Sequence, residues 1–409
     1  MADTAGTSKQ RRSFIKKSAG LSLGMLAFPG LSRAQSTKEV RVGIIHPMTG
    51  LVAYSGQHCR LGSMLAIEQI NGGGGIKSLG GARITPVLGD SQGRVEVGVS
   101  EVERMNEQGV VAYLGCYNSP VGIAATQAAS KYNTPFVVDV GASDLIVSRG
   151  LPNVFRFSPG YGVCVDSGVA ALGAINKAAG NPASTVVLVH ESGEMGVGTV
   201  KLLQEKLPGI GFKVLDVIAH DNPARSFDNV ALRLRSMKPD LVMHTAYPNE
   251  YMLLARTLKR FKVPVTQYSI IGAGFGVKFL RESPDAASYQ MDFNHWYRPH
   301  DARAIALKEK VEASNHDFIY EVFCSYNAVM LLADALERAG STDKEALRAS
   351  LAASTWSGHF MPYGPTKFVN GQNVGGRAVG LQILDGKIEV IYPDEFASAK
   401  AVFPNPAAA

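Results

Sequence analysis

The chain lacks the marks of several common chemistries. No GxGxxG follows an apolar run. The glycine cluster GGGG at residues 72–75 follows a helical stretch instead, so a dinucleotide fingerprint is absent. No GxxxxGK(S/T) phosphate loop and no GxSxG nucleophile elbow occurs. The nine histidines form no HExxH and meet no CxxC, which leaves a zinc site without support. His190 and Glu191 end an apolar run, where such a pair reads as a loop feature rather than an acid/base couple. No apolar run is long enough to span a membrane. Only four cysteines occur, Cys59, Cys116, Cys164 and Cys324, in no metal-ligand spacing. In an oxidising compartment a pair could bridge, with the connectivity open. Each equally reads as a small buried apolar group. No catalytic residue, metal or cofactor is expected.

What is present suits a soluble globule. The 409 residues are 46% hydrophobic and 19% charged, enough chain for two domains. The first 34 residues read as an address rather than as fold. QRRSFIK (10–16) precedes the apolar AGLSLGMLAF and the small-residue cut site SRA ending at Ala34. The pair Arg11-Arg12 marks the twin-arginine type of signal. No cysteine closely follows the apolar run, so no lipid anchor is expected. This segment carries Lys9, Arg11, Arg12, Lys16, Lys17 and Arg33 against Asp3, or +5 of the total +6. The remaining chain is therefore near +1 by subtraction, and the apparent basicity gives no reason to expect nucleic acid.

From residue 38 apolar runs alternate with helical stretches. VRVGIIHP, ARITPVLGD, VVAYLG and PFVVDV read as strands, with helices between them. The pattern restarts at STVVLVHE and continues through FKVLDVIA, DLVMHTAY and TQYSIIGAG. Continuous apolar strands alternating with helices imply parallel sheets covered on both faces. The fold class is α/β, with two doubly wound parallel-sheet lobes and a seam near residues 155–162. QMDFNHWYRP reads as a strand returning across that seam, residues 301–314, 320–339 and DKEALRASLAAS as helices, and 357–374 as a connecting loop. GRAVGLQILDGKIEVIYP reads as a hairpin turning at Asp385-Gly386.

Ligands of open parallel sheets bind outside the carboxyl ends of the strands, where helix N-termini offer unpaired N–H groups. The segments there are HPMTGLVAYSG, GCYNSP, GASD, ESGEMG, TAYPNE and GAGFG. They are small and hydroxyl-bearing, with a few tyrosines. Ser119 and Ser143 supply hydroxyls beside open amides, which suits a carboxylate. Taken singly, each such serine reads as a helix cap and each tyrosine as a half-buried aromatic. The functional reading rests on several loops converging on one cleft.

VGIIHPMTGLVAYSGQ, GCYNSPVGIAATQAA with TPFVVDVGAS, VFRFSPG, HESGEMGVG and MPYGPTKFVNGQNVGG, in that order, resemble the type I periplasmic binding proteins of the leucine/isoleucine/valine-binding group. The resemblance covers residues 38–395. It implies two lobes joined by a three-strand hinge: residues 38–158 plus 292–356, and residues 159–291 plus 357–409.

The resemblance also implies site residues. Ser119 falls on the serine that bonds the ligand carboxylate, with Gly141 and Ala142 on the backbone positions beside it. Ser143 stands where the family usually has threonine. Tyr54 lies in the first loop, where an aromatic often touches the ligand; Met195 stands where a tyrosine is common; Tyr247 matches a tyrosine that packs over the ligand. Tyr117 puts a bulky ring where relatives often carry something small, and Phe275 completes the set of candidate contacts. One departure is plain. Amino-acid binders carry an acid after the strand ending at Gly272, and here GAGFGV has none; Glu194 and Glu250 lie in other loops. The carboxylate half of the site is kept and the ammonium half is not.

These readings imply a monomeric periplasmic receptor of an ABC importer, exported by the twin-arginine route and delivering its ligand to an inner-membrane permease. The ligand would be a small carboxylate-bearing solute: branched-chain amino acid-like, amide or urea-like, or an aromatic acid. A periplasmic sensor of the same fold feeding a signalling receptor is the alternative.

Overall fold

EVRVGIIH begins with alternation and ends apolar, as fits a strand that enters a sheet from its rim and finishes in the core. In the computed structural model, which describes residues 39–271 and 276–406, it forms β1 (Glu39–His46). Residues 1–34, where a signal is expected, and Phe275 lie outside the described residues. The chain continues through α1 (Ala53–Gly72), β2 (Arg83–Asp90), α2 (Val95–Glu107), β3 (Ala112–Gly115), α3 (Ser119–Ser130), β4 (Phe136–Val138) and β5 (Val154–Arg156). The strands pair in parallel in the order β5-β4-β3-β1-β2.

The pattern then repeats with α4 (Tyr161–Ala178), β6 (Thr185–Glu191), α5 (Glu194–Lys206), β7 (Lys213–His220), α6 (Asp228–Met237), β8 (Leu241–Thr245), α7 (Pro248–Arg260) and β9 (Thr266–Ile270). The short helices α8 (Val277–Glu282) and α9 (Pro284–Ala287) lead to β10 (Met291–Asn294), which pairs in parallel with β9. Three further helices follow: α10 (Ala302–Ala313), α11 (Tyr320–Ala339) and α12 (Lys344–Ala352). The chain closes with the short strands β11 (Phe368–Val369) and β12 (Gln372–Asn373), then β13 (Val379–Leu384) and β14 (Lys387–Tyr392), an antiparallel hairpin turning at Asp385-Gly386.

Each sheet is covered on both faces, which is why its strands run apolar rather than alternating. In β6, Val186 and Leu188 pack with Val165 and Leu203, while Val187 and Val189 pack with Leu234 and Leu254. In the first lobe Ile44 and Leu114 face the helices α1 and α11, and Ile45 and Tyr113 face α2 and α3. Full burial of each such side chain is worth about 1.5–3 kcal/mol. All four cysteines are buried and unpaired.

Two lobe boundaries differ from expectation. β10 belongs to the second sheet, although residues from 292 onward were assigned to the first lobe. β11 and β12 extend the first sheet through Gln372 beside Arg156, although residues from 357 onward were assigned to the second. The stretch rich in turn formers obscured two very short strands, and Arg156 Nε donating to Gln372 Oε1 at 2.7 Å holds them in place. The crossings between the sheets thus fall at residues 157–160, 295–301 and 374–378.

Candidate functional site

Both sheets place a reversal of strand order next to one edge: β1 lies between β2 and β3, and β6 between β7 and β8. Loops diverge at such points and leave a crevice. The segment GCYNSP leaves β3 there. Its Gly115 has φ +142°, and a Cβ at that position would meet the Ile45 carbonyl oxygen at 2.2 Å, so only glycine lets the chain turn this close to β1.

The next loop is anchored from below. Asp139, fully buried, accepts from the Val140 amide at 2.8 Å and from Ser325 Oγ at 2.6 Å, and it pairs with His46 Nε2 at 2.7 Å. Burial keeps His46 below its usual pKa despite that carboxylate. Cys59 also lies beside this pair. With Asp139 committed to these partners, the group acts as an anchor.

Two hydrogen bonds join the loops after β3 and β4. The Gly141 amide donates to the Cys116 carbonyl at 2.9 Å, and the Ser143 amide donates to Ser119 Oγ at 3.1 Å. Arg156, buried, donates to the carbonyls of Ala142 at 2.9 Å and Ser143 at 2.6 Å and to Asp144 at 2.7 Å. Ser119 is the first residue of α3, and neither it nor Asn118 caps that helix with a side chain. The α5 N-terminus differs. There Glu191 already accepts from the amides of Gly193 at 2.5 Å and Gly196 at 2.6 Å. An incoming anion is therefore directed to α3 rather than α5.

Between the strand ends of the two sheets lies a cavity of about 30 Å³. The first sheet contributes Tyr117, Ser119, Val140 and Ala142, and the second contributes Met195, Ala246, Tyr247 and Ile271. His295 and Tyr320 complete it. The rings of Tyr117 and Tyr247 approach to 6.1 Å across it. A neighbouring space of about 40 Å³ shares Tyr247 and is lined by Tyr54, Ser55, Glu250 and Lys278 among others. A surface depression of about 670 Å³ lies along the amino-terminal half of the edge strand β7, away from the strand ends.

Of the residues expected from sequence, Tyr117, Ser119, Ala142, Met195 and Tyr247 line one cavity. Three others are placed differently. Gly141 does not line it, and its amide serves Cys116. Ser143 is fully buried; its hydroxyl donates to Glu194 at 3.2 Å and accepts from the Leu145 amide at 3.2 Å. Tyr54 lines the neighbouring space, and its hydroxyl donates to Asp317 at 2.5 Å.

Asp317, ahead of α11, also receives Arg281 of α8 at 2.9 Å, which ties the two lobes at the rim. Arg281 and Tyr54 hold the Asp317 carboxyl below the usual carboxylate range, against the effect of burial. No acid lines the Ser119 cavity among the described residues. Burial raises the pKa of Glu250 beside it and of Glu321, the latter to about 7.

Sequence reasoning missed His295 and Tyr320. Each has a positional signal: His295 is the first residue after β10, and Tyr320 opens α11. His295 is 1% exposed, and neither ring nitrogen has a hydrogen-bond partner among the described residues.

Comparison with known proteins agrees with this geometry. The family model described as "Periplasmic binding protein" matches residues 39–385. The chain belongs to the periplasmic binding protein family. Within it, the Leu/Ile/Val-binding protein homolog 7 of Brucella melitensis is 24% identical over 392 residues, covering 91% of this chain and 96% of that protein.

Two solved structures show the same type I two-lobe α/β fold. The branched-chain amino acid transporter substrate binding protein LivJ from Streptococcus pneumoniae, in complex with isoleucine, has a TM-score of 0.74 at 19% identity, over 87% of this chain and 100% of that one. An ABC transporter solute-binding protein from R. palustris, in complex with benzoate, has a TM-score of 0.75 at 19% identity, over 89% and 97%. These relatives are binding proteins rather than enzymes, and the family's role is ligand binding in the periplasm or outside the cell.

Proposed function

We propose that this periplasmic binding protein is the solute receptor of an ABC importer and takes a small carboxylate on an apolar body. One observation carries the reading. Ser119, at the uncapped start of α3, lines the inter-lobe cavity with its oxygen already accepting from Ser143, which leaves its O–H to donate. A hydroxyl donor at a helix N-terminus suits a carboxylate oxygen. Buried Arg156 adds positive potential just behind the loop.

The rest of the wall is aromatic and aliphatic. Isoleucine and benzoate, the solutes named for two structural neighbours, share a carboxylate and an apolar body. The absence of a lining acid among the described residues, and of any acid in the GAGFG sequence, favours solutes without an ammonium group. The protein would reach the periplasm through its twin-arginine signal, act as a monomer and hand its solute to a permease.

A thermal-shift screen of aliphatic, aromatic and α-amino carboxylates tests the reading, since a ligand of the native state raises the melting temperature. Carboxylates should shift the melt while the matching primary alcohols should not. Loss of solute uptake on deletion of the gene would then separate an importer from a sensor.

A further inference from the structure

The cavity contains a polar group that the carboxylate does not use. His295 emerges from β10 at the crossing between lobes, is 1% exposed, and shows both ring nitrogens without partners among the described residues. Buried polar atoms are nearly always hydrogen-bonded, and an unpartnered one in a native site calls for an explanation. Ser119 Oγ, on the carboxylate side, accepts from the Ser143 amide and keeps its O–H for the carboxylate. Tyr320 lies beside His295 with ring centroids 5.6 Å apart, so the imidazole is held between an aromatic wall and the cavity.

Burial and the Arg156 guanidinium push the His295 pKa down to about 3, so the ring is a neutral imidazole at neutral pH. A neutral imidazole has one N–H donor and one acceptor nitrogen. A hydroxyl, which both donates and accepts, can meet either nitrogen in either tautomer. An ammonium donates only, fits one tautomer, and enters the field of Arg156.

We propose that His295 selects the second polar group of the solute, taking a neutral hydroxyl or amide. The inference rests on the carboxylate reading above, with Ser119 at one pole of the solute and His295 at the other. The favoured solutes are then hydroxylated or carboxamide-bearing acids rather than α-amino acids.

Two ladders of probes test it by titration calorimetry: benzoate with 3- and 4-hydroxybenzoate, and 4-methylpentanoate with its 2-hydroxy and 2-amino derivatives. In the wild type, at least one hydroxylated probe should bind about tenfold more tightly than its parent, the net effect of one hydrogen bond in a buried site. In His295→Phe that preference should fall to within about twofold. A preference that survives in folded His295→Phe overturns the role of His295 and leaves the carboxylate reading intact. Failure of every carboxylate to bind overturns both. Should His295→Phe fail to fold, the imidazole ¹⁵N shifts of the wild type decide: the preferred probe must move those of His295 and its parent must not, and unmoved shifts overturn the proposal.

Discussion

The Ser143 amide donates to the Ser119 hydroxyl oxygen at 3.1 Å, so the loop after β4 and the start of α3 form one unit. The two serines then divide their work. Ser119 keeps its proton for the cavity, whereas Ser143 gives its own to Glu194 at the start of α5. One serine faces the cavity and the other ties the lobes.

That division predicts unequal losses. Ser119→Ala should raise the Kd of a carboxylate ligand about 10- to 100-fold, the usual range for a hydrogen bond to a charged group. The ligand-free melting temperature should also fall, because the buried Ser143 amide loses its acceptor. Ser143→Ala should weaken binding less and lower the melting temperature, because its hydroxyl serves Glu194 and the Leu145 turn. Equal losses of affinity in the two variants, measured by calorimetry, would contradict the division.

The rim contact of Asp317 with Arg281 and Tyr54 is a second closure point. The guanidinium is largely exposed, so solvent screens the pair and its worth is about 0.2–1 kcal/mol. Asp317→Asn should speed ligand release about twofold to fivefold in stopped flow and leave association nearly unchanged. An unchanged dissociation rate would show that the contact does not report on closure.

Much of this was legible in the sequence. Apolar runs alternating with helical stretches identified both sheets, because strands covered on two faces must be apolar throughout. GCYNSP stood out because small polar residues lay between a strand and a helix. Other features depend on groups distant along the chain. Whether the Gly141 amide is open depends on the Cys116 carbonyl, and whether Ser143 faces a ligand depends on Glu194. His295 joins the cavity because β10 pairs beside β9, a tertiary relationship that no local pattern encodes. β11 and β12 have two residues each, too few for a periodicity.

Acid should destabilise the fold, with two glutamates, Glu250 and Glu321, opposing. Burial holds His46, His58, His220, His244, His295 and His359 below 6.5, His295 at about 3 and His359 at about 4. The unfolded chain therefore binds more protons than the folded one between these values. Stability is complete above about 6.5 and is lost as pH falls. Glu321 has the opposite sign. Its folded pKa of about 7 exceeds the unfolded 4.5, so its contribution is present below 4.5 and lost as pH rises through 7. With six histidines against two glutamates, the melting temperature should fall from about pH 7 to about pH 5. Glu321→Gln should steepen that fall and raise the melting temperature near pH 8. A flat profile in calorimetric scans would contradict the assignment.

The proposed twin-arginine export makes its own prediction. Replacing Arg11 and Arg12 together by lysine should leave the protein in the cytoplasmic fraction, because the twin-arginine route reads that pair. Fractionation followed by immunoblotting checks this, and undiminished periplasmic protein would rule out that route.

The cavity of about 30 Å³ has room for a water or two, so a solute such as benzoate or leucine enters only as the lobes separate. The most direct test is therefore a crystal structure with the tightest carboxylate from the screen. The account predicts the ligand between the lobes, with a carboxylate oxygen within about 3 Å of Ser119 Oγ at the start of α3. A ligand bound elsewhere, or one whose carboxylate faces away from Ser119, would contradict it.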